Sequence, residues 1–264
     1  MTNPAAPHGT TGRWLIRRVP RPDAPLRLYC FPHSGGSPGE YLRWSESLEE
    51  IEVWGVQAPG RGSRIAERPL TTLTELVDGL LAATAFVPPF AFFGHSLGAL
   101  AAYETTRALA ARGLPGPEFL VASACPAPDR PRSGPFVHDL SDKDLFDVIQ
   151  RRYGGLPPEL AADPALVELV MPYYRADFAM FETYRHRPGP EPELPLWVVG
   201  GDQDIPGELL GHWRPRTTGP FELRTLPGGH FYLRDEEARA GLLRLITEAA
   251  RKAPRPPWPT HPQH

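Results

Sequence analysis

At 264 residues with 41% hydrophobic side chains, the chain is long enough to bury a full core as one α/β unit with room for an insertion. Its 28 basic and 31 acidic residues leave a formal net charge of −3. No basic cluster would track a phosphate backbone, which excludes nucleic acid as an expected partner. No apolar run reaches the length of a membrane span, and residues 1–21 lack the hydrophobic stretch of a signal peptide, so a cytoplasmic protein with no membrane partner is expected.

Many of the 34 prolines collect in residues 4–25 and 254–262, which predicts a flexible segment over 1–25, a folded unit over 26–252 and a flexible Pro-rich tail over 253–264. Residues 26–31 (Leu-Arg-Leu-Tyr-Cys-Phe) read as a strand that runs into Pro32-His-Ser-Gly-Gly-Ser-Pro-Gly. A glycine-rich loop after an early strand lets a backbone N–H approach a substrate oxygen closely. The Ser34 amide is the first candidate for that role, with His33 next. No Gly-Lys-Ser/Thr follows, so the loop is not a phosphate loop. Residues 41–48 suggest a short amphipathic helix, and residues 51–57 alternate as a strand. In the turn that follows, Ala58-Pro-Gly-Arg-Gly-Ser-Arg, Arg61 and Arg64 are read either as solvated loop side chains or as groups that steer a phosphate-bearing substrate. Leu73, Leu76, Val77, Leu80 and Leu81 fall at helical spacing within residues 72–85.

The most informative stretch is Phe90-Ala-Phe-Phe-Gly-His-Ser-Leu-Gly-Ala-Leu, an apolar strand pattern that stops at Gly94 and turns into an Ala/Leu-rich helix ending before Gly113. Its G-x-S-x-G spacing is that of a nucleophile elbow. Side chains at Gly94 and Gly98 would collide with strand or helix, and the tight turn pushes the Ser96 hydroxyl out above the sheet while the Leu97 amide faces a developing oxyanion. A strand over 119–123 follows, and the alternation of strands and helices predicts a mostly parallel sheet covered on both faces. The alternation stops between residues 126 and 195. There a helix over 141–152, capped by Ser141, is followed by a second helix with an aromatic stripe that includes Tyr173, Tyr174, Phe178 and Phe181. An insertion so placed would cover the carboxyl ends of the strands as a lid, its stripe either lining an acyl tunnel or packing on the body. Strands over 196–200 and 221–226 lead into Gly201-Asp-Gln-Asp-Ile-Pro and Pro227-Gly-Gly-His-Phe-Tyr-Leu, and a helix over 235–251 closes the unit. Cys30 and Cys125, the only cysteines, each close an apolar strand-like run and are expected as buried free thiols.

A serine hydroxyl is a poor nucleophile at neutral pH and needs a base to take its proton. Of nine histidines, only His230 lies in a glycine-rich loop at the end of the final strand, which makes it the expected base. The acid that orients it is Asp202 or Asp204, and counting G-x-x-D from Gly201 favours Asp204. The order serine, acid, histidine along the chain is that of an α/β-hydrolase fold. No metal-ligand cluster or phosphate-binding glycine motif competes, so neither a cofactor nor a metal is expected.

Five motifs in this order, Cys30-Phe-Pro-His-Ser-Gly-Gly, Gln57-Ala-Pro-Gly-Arg-Gly-Ser-Arg, Phe93-Gly-His-Ser-Leu-Gly-Ala, Gly200-Gly-Asp-Gln-Asp and Gly228-Gly-His-Phe-Tyr-Leu, resemble the type II thioesterases of polyketide and nonribosomal peptide synthases. The resemblance covers about residues 26–245. It implies hydrolysis of acyl groups, often aberrant short ones, from the phosphopantetheine arm of acyl or peptidyl carrier proteins, with Ser96, Asp204 and His230 as triad. A monomer without cofactor is expected. Two positions depart from the pattern: Ser34 stands where alanine is commoner, and Asp202 beside Asp204 leaves the acid open. A carboxylesterase or lipase using the same triad, and a silent hydrolase-fold binding protein, are the alternative readings.

Overall fold

The computed structural model describes residues 11–130, 135–153 and 161–253. Seven strands build one sheet: β1 (Leu15–Ile16), β2 (Leu26–Phe31), β3 (Ile51–Val56), β4 (Phe90–His95), β5 (Leu120–Ser123), β6 (Leu196–Gly201) and β7 (Phe221–Leu226). Their order is β1-β3-β2-β4-β5-β6-β7. Every pairing is parallel except the antiparallel edge between β1 and β3.

The strands read as continuous apolar runs because both faces are covered. In β4, Phe90 and Phe92 join the core on one face, with Tyr29 and Phe31 of β2. Ala91 and Phe93 join the core on the other, with Leu28 and Cys30. The first face is covered by α3 (Leu73–Ala83) and α4 (Leu97–Ala111), the second by α8 (Glu236–Lys252). A capping box between Thr72 and Glu75 starts α3, and the Asp235 side chain accepts from the Ala238 amide to start α8. Cys30 and Cys125 are buried thiols outside any disulfide. Among the described residues no helix is long and apolar enough to cross a membrane.

Two expectations change. Residues 11–25 are not a loose end: α1 (Thr11–Trp14) and β1 close the sheet edge, with Trp14 and Leu15 buried. Trp14 O accepts from the Gln57 amide at 2.7 Å, and the Arg64 guanidinium stacks 4.4 Å from the Trp14 ring centre, which anchors the segment. Residues 1–10 and 254–264, the outer parts of the expected tails, lie outside the described residues. The helix expected over 41–48 is instead a single α turn, α2 (Gly39–Leu42), continued as a 3₁₀ turn over Arg43–Glu46. The tighter winding sets Tyr41 and Trp44, three residues apart, on one face, where their rings lie 5.8 and 4.9 Å from that of Phe93.

After β5 come α5 (Asp142–Tyr153) and α6 (Pro164–Thr183), with Ser141 Oγ accepting from the Asp144 amide at 3.2 Å before the first. They share a small core of their own that includes Leu145, Ile149, Val170 and Met171. A short α7 (Gly207–Gly211) follows β6. Strand order reverses between β2 and β4, so their carboxyl ends leave a crevice, and Phe31 pairs with Gly94 at its floor.

Close packing at that crevice is testable. A Cβ on Gly98 would lie 2.0 Å from Phe31 O, backbone that cannot move aside, whereas one on Gly116 would meet nothing within 4 Å. Gly98→Ala is expected to lower the urea-derived stability by about 1–3 kcal/mol, and Gly116→Ala to stay within about 0.5 kcal/mol of the wild type.

Candidate active site

Ser96 sits between β4 and α4 with φ 55° and ψ −120°, a conformation costly for a residue with a Cβ. Three close contacts hold it there. The Ser96 amide donates to Ser123 O at 2.8 Å. A Cβ on Gly94 would lie 2.1 Å from Gly98 O, and one on Gly98 would strike Phe31 O, so strand and helix approach closer than any side chain permits. As the first residue of α4, Leu97 has an amide without an intrahelical acceptor.

The loop after β2 supplies a second set of amides. Gly36 N–H donates to His33 O at 2.8 Å, closing a turn in which Gly35 takes φ +73°. Gly35 N–H donates to the Asp177 carboxylate at 2.8 Å. Of the three consecutive amides at 34, 35 and 36, the last two are thus committed, and Ser34 itself lines the cavity described below. His33 turns its ring into a buried hydrogen bond with Tyr41 at 2.8 Å.

The loops after β6 and β7 are zipped together by backbone. Asp202 N–H donates to Leu226 O at 2.9 Å and Gln203 N–H to Gly228 O at 3.0 Å. A Cβ on Gly201 would lie 2.2 Å from Gly228 O. This contact separates the two acids. Asp202 accepts from the Gly228 amide at 2.9 Å, whereas Asp204 Oδ2 meets His230 Nδ1 at 2.9 Å. With Nδ1–H donating to the carboxylate, the basic lone pair of the imidazole is on Nε2.

His230 is the outermost of three histidines in contact. Its ring centre is 5.2 Å from that of His95, which is 5.8 Å from that of His33. His95 Nδ1 bonds Ser123 Oγ at 2.8 Å, and Ser123 Oγ bonds Tyr232 OH at 2.7 Å. Burial, reinforced by Arg234 and His230, pushes the His33 pKa down to about 3. Burial followed by the charge of His230 also drives His95 well below its ordinary value. Both inner histidines are therefore neutral imidazoles at physiological pH.

Ser34, Ser96, Asp204 and His230 line one cavity of about 1260 Å³. Tyr173, Tyr174, Phe178 and Phe181 of α6 form its apolar wall, and Glu40, Arg43 and Arg234 stand at its rim. Tyr174 and Phe178 also belong to the core of the insertion, and Phe181 packs against the core of the body, so the stripe both lines the cavity and packs on the domain. Among the described residues no group of three or more histidines, cysteines or acids is placed to hold a metal ion.

The reading of Arg61 and Arg64 requires correction, because neither is solvated and neither lines the cavity. Arg64 donates to Gln57 O at 3.1 Å and to the Glu67 carboxylate. Arg61 pairs with Asp177 of α6 through two bonds of 2.6 and 2.9 Å. Asp177 escaped the sequence reading. Its signal was a carboxylate within the run Val170, Met171, Tyr174 and Phe178, the buried face of the helix by spacing.

Residues 26–249 match the family model described as "Thioesterase domain". The chain is 41% identical over 239 residues to "Thioesterase PikA5" from Streptomyces venezuelae, covering 86% of this chain and 82% of that protein. It is 33% identical over 228 residues to the gramicidin S biosynthesis protein GrsT of Aneurinibacillus migulanus, covering 84% of this chain and 88% of that one. The solved structure of the type II thioesterase BorB from the borrelidin biosynthetic cluster superposes with a TM-score of 0.78 at 37% identity, covering 90% of this chain and 96% of that one. The similarity runs through sheet, elbow and insertion alike, and the chain belongs to the thioesterase domain family, enzymes of α/β-hydrolase fold that hydrolyse thioesters.

Proposed function

We propose that the protein is a free-standing type II thioesterase that clears short, aberrant acyl groups from the phosphopantetheine arms of carrier proteins of a polyketide or nonribosomal peptide synthase. The observation that carries this reading is the Asp204–His230 contact in a cavity that also displays Ser96 on a strained turn. A relative named for gramicidin S biosynthesis and a solved type II thioesterase of the yersiniabactin NRPS/PKS pathway, both matched over most of their length, support the choice of carrier-bound substrates.

In this mechanism Ser96 Oγ attacks the thioester carbonyl carbon while His230 Nε2 takes its proton. The negative charge that develops on the carbonyl oxygen is met by the Leu97 and Ser34 amides. As the tetrahedral intermediate collapses, the carbon–sulfur bond breaks, and the imidazolium returns its proton to the departing pantetheine sulfur. A water then gives a proton to His230 and attacks the acyl-enzyme carbonyl; as that intermediate collapses the ester carbon–oxygen bond breaks, His230 returns the proton to Ser96 Oγ, and the carboxylic acid leaves. Asp204 keeps the proton of His230 on Nδ1 and stabilises the imidazolium. Every proton and electron pair is accounted for by these groups and one water.

Ser96→Ala is expected to keep its fold and lose at least about 10³-fold in kcat, since the amides alone give only residual catalysis. Steady-state turnover together with circular dichroism checks it, and wild-type rates in the folded variant would remove Ser96 from the mechanism.

Asp204→Asn is expected to lower turnover by about 10³–10⁴-fold through loss of the histidine tautomer. Asp202→Asn keeps an oxygen that can accept from Gly228 and should cost less than about tenfold. Single-turnover assays decide, and the reverse ranking would transfer the role to Asp202.

Across substrates, kcat/KM is expected to rank an acyl-carrier protein above the matching acyl-coenzyme A or N-acetylcysteamine thioester, with p-nitrophenyl esters last, because the carrier adds binding energy remote from the reacting carbon. Acetyl and propionyl thioesters should differ only modestly, a methylene in an apolar pocket being worth about 1–3 kcal/mol. A preference for oxygen esters would instead mark the protein as a carboxylesterase.

A further inference from the structure

We propose that Asp177 and Arg61 are positioning residues for the oxyanion loop, and that they tie the seating of α6 to the competence of that loop. The inference rests on the reading above that the Ser34 amide meets the oxyanion. Three distant segments converge here: the turn at 33–36, the loop after β3 and the middle of α6. Asp177 is 1% exposed and Arg61 6%. The Asp177 carboxylate accepts two bonds from the guanidinium and a third from the Gly35 amide, while Arg61 Nη1 also donates to Gly36 O at 3.1 Å. One ion pair therefore grips both ends of the Gly35–Gly36 step.

Packing reinforces the grip. A Cβ on Gly35 would lie 1.9 Å from the Tyr174 ring, so α6 rests directly on the turn, and the Tyr173 ring centre is 5.3 Å from the guanidinium carbon. The Gly35 amide belongs to the central peptide of the turn. Holding it fixes that peptide plane, and the Ser34 amide one residue earlier is held with it. Stability gives a weak reason for such an arrangement. Burying two charges costs desolvation that their attraction only partly offsets, and apolar replacements of similar pairs are often as stable. What this pair adds is a charge-assisted anchor on the backbone at the reacting centre. Lifting α6 breaks the ion pair and frees the turn together, so the oxyanion amides come into register only with α6 seated.

The test compares wild type, Asp177→Asn and the double variant Arg61→Met with Asp177→Leu, which removes both charges together and guards against a fold lost to one unpaired charge. Each is assayed for kcat and KM on acetyl-coenzyme A, and for binding of two coenzyme A thioethers. One carries a trifluoromethyl ketone, whose carbonyl carbon adds Ser96 Oγ, with the proton passing to His230 and the oxygen becoming an oxyanion. The other carries the matching methyl ketone, which is held without that charge. Folded variants are expected to lose roughly 10- to 100-fold in kcat, the cost of a misplaced catalytic group, with KM within about twofold. Affinity for the trifluoromethyl ketone should fall by a similar factor while that for the methyl ketone holds. A folded double variant that retains both kcat and the wild-type ratio of the two affinities overturns the proposal and leaves the catalytic reading standing. A wild type that does not favour the trifluoromethyl ketone overturns the oxyanion reading and the proposal with it.

Discussion

The structure turns on a place where three pieces of backbone touch with no side chain between them. Phe31 at the end of β2, Gly94 in β4 and Gly98 in the first turn of α4 approach so closely that a methyl group at either glycine would overlap a carbonyl. Everything at the reacting centre inherits its position from that contact. The helix can start only where it does, the connecting residue must take a left-handed φ, and that residue is Ser96. Because the amide of Leu97 and the turn at 33–36 extend from the same two backbone segments, the proposed nucleophile and oxyanion donors share one rigid support.

On the other side of the crevice the same device recurs. Gly201 admits the backbone of Gly228 and Gly229, and two interstrand amides carry the sheet pairing past the ends of β6 and β7 into the loops. Acid and histidine are thus delivered by what amounts to a continued ladder. Ser96 from the junction at the elbow and Asp204 and His230 from the junction between the loops line one cavity, together with the aromatic side of α6.

How much of this was legible in the sequence follows from the range of each interaction. The strands and the capped helices are written in local patterns such as Phe90-Ala-Phe-Phe or Thr72-Leu-Thr-Glu, and these elements lie where periodicity puts them. Ser96 and His230 could be singled out as candidates because Gly94 and Gly98 flank the first and Gly228-Gly229 precede the second. Local pattern does not separate Asp202 from Asp204, since both lie in one turn and only the opposite loop, 26 residues away in sequence, shows which carboxylate faces the imidazole. Arg61 was misread for the same reason. Its partner is 116 residues distant, and an arginine between two glycines in a turn looks solvated until the helix that covers it is in place. Trp14 and Leu15 were obscured by the proline-rich composition around them, which masks a two-residue strand.

The three neighbouring imidazoles bear on how the proposed reaction would tolerate its own charge. At the 5.2 Å that separates the rings of His95 and His230, two like charges at an effective dielectric near 20 would repel by about 3 kcal/mol. Such a term would bear on the barrier each time the proposed base became an imidazolium. Burial removes it by denying His95 and His33 their protons. Two residues that are ordinarily partly charged near neutrality thus become uncharged rings beside the proposed base, and the positive charge that the proposed mechanism creates on His230 meets no second imidazolium there.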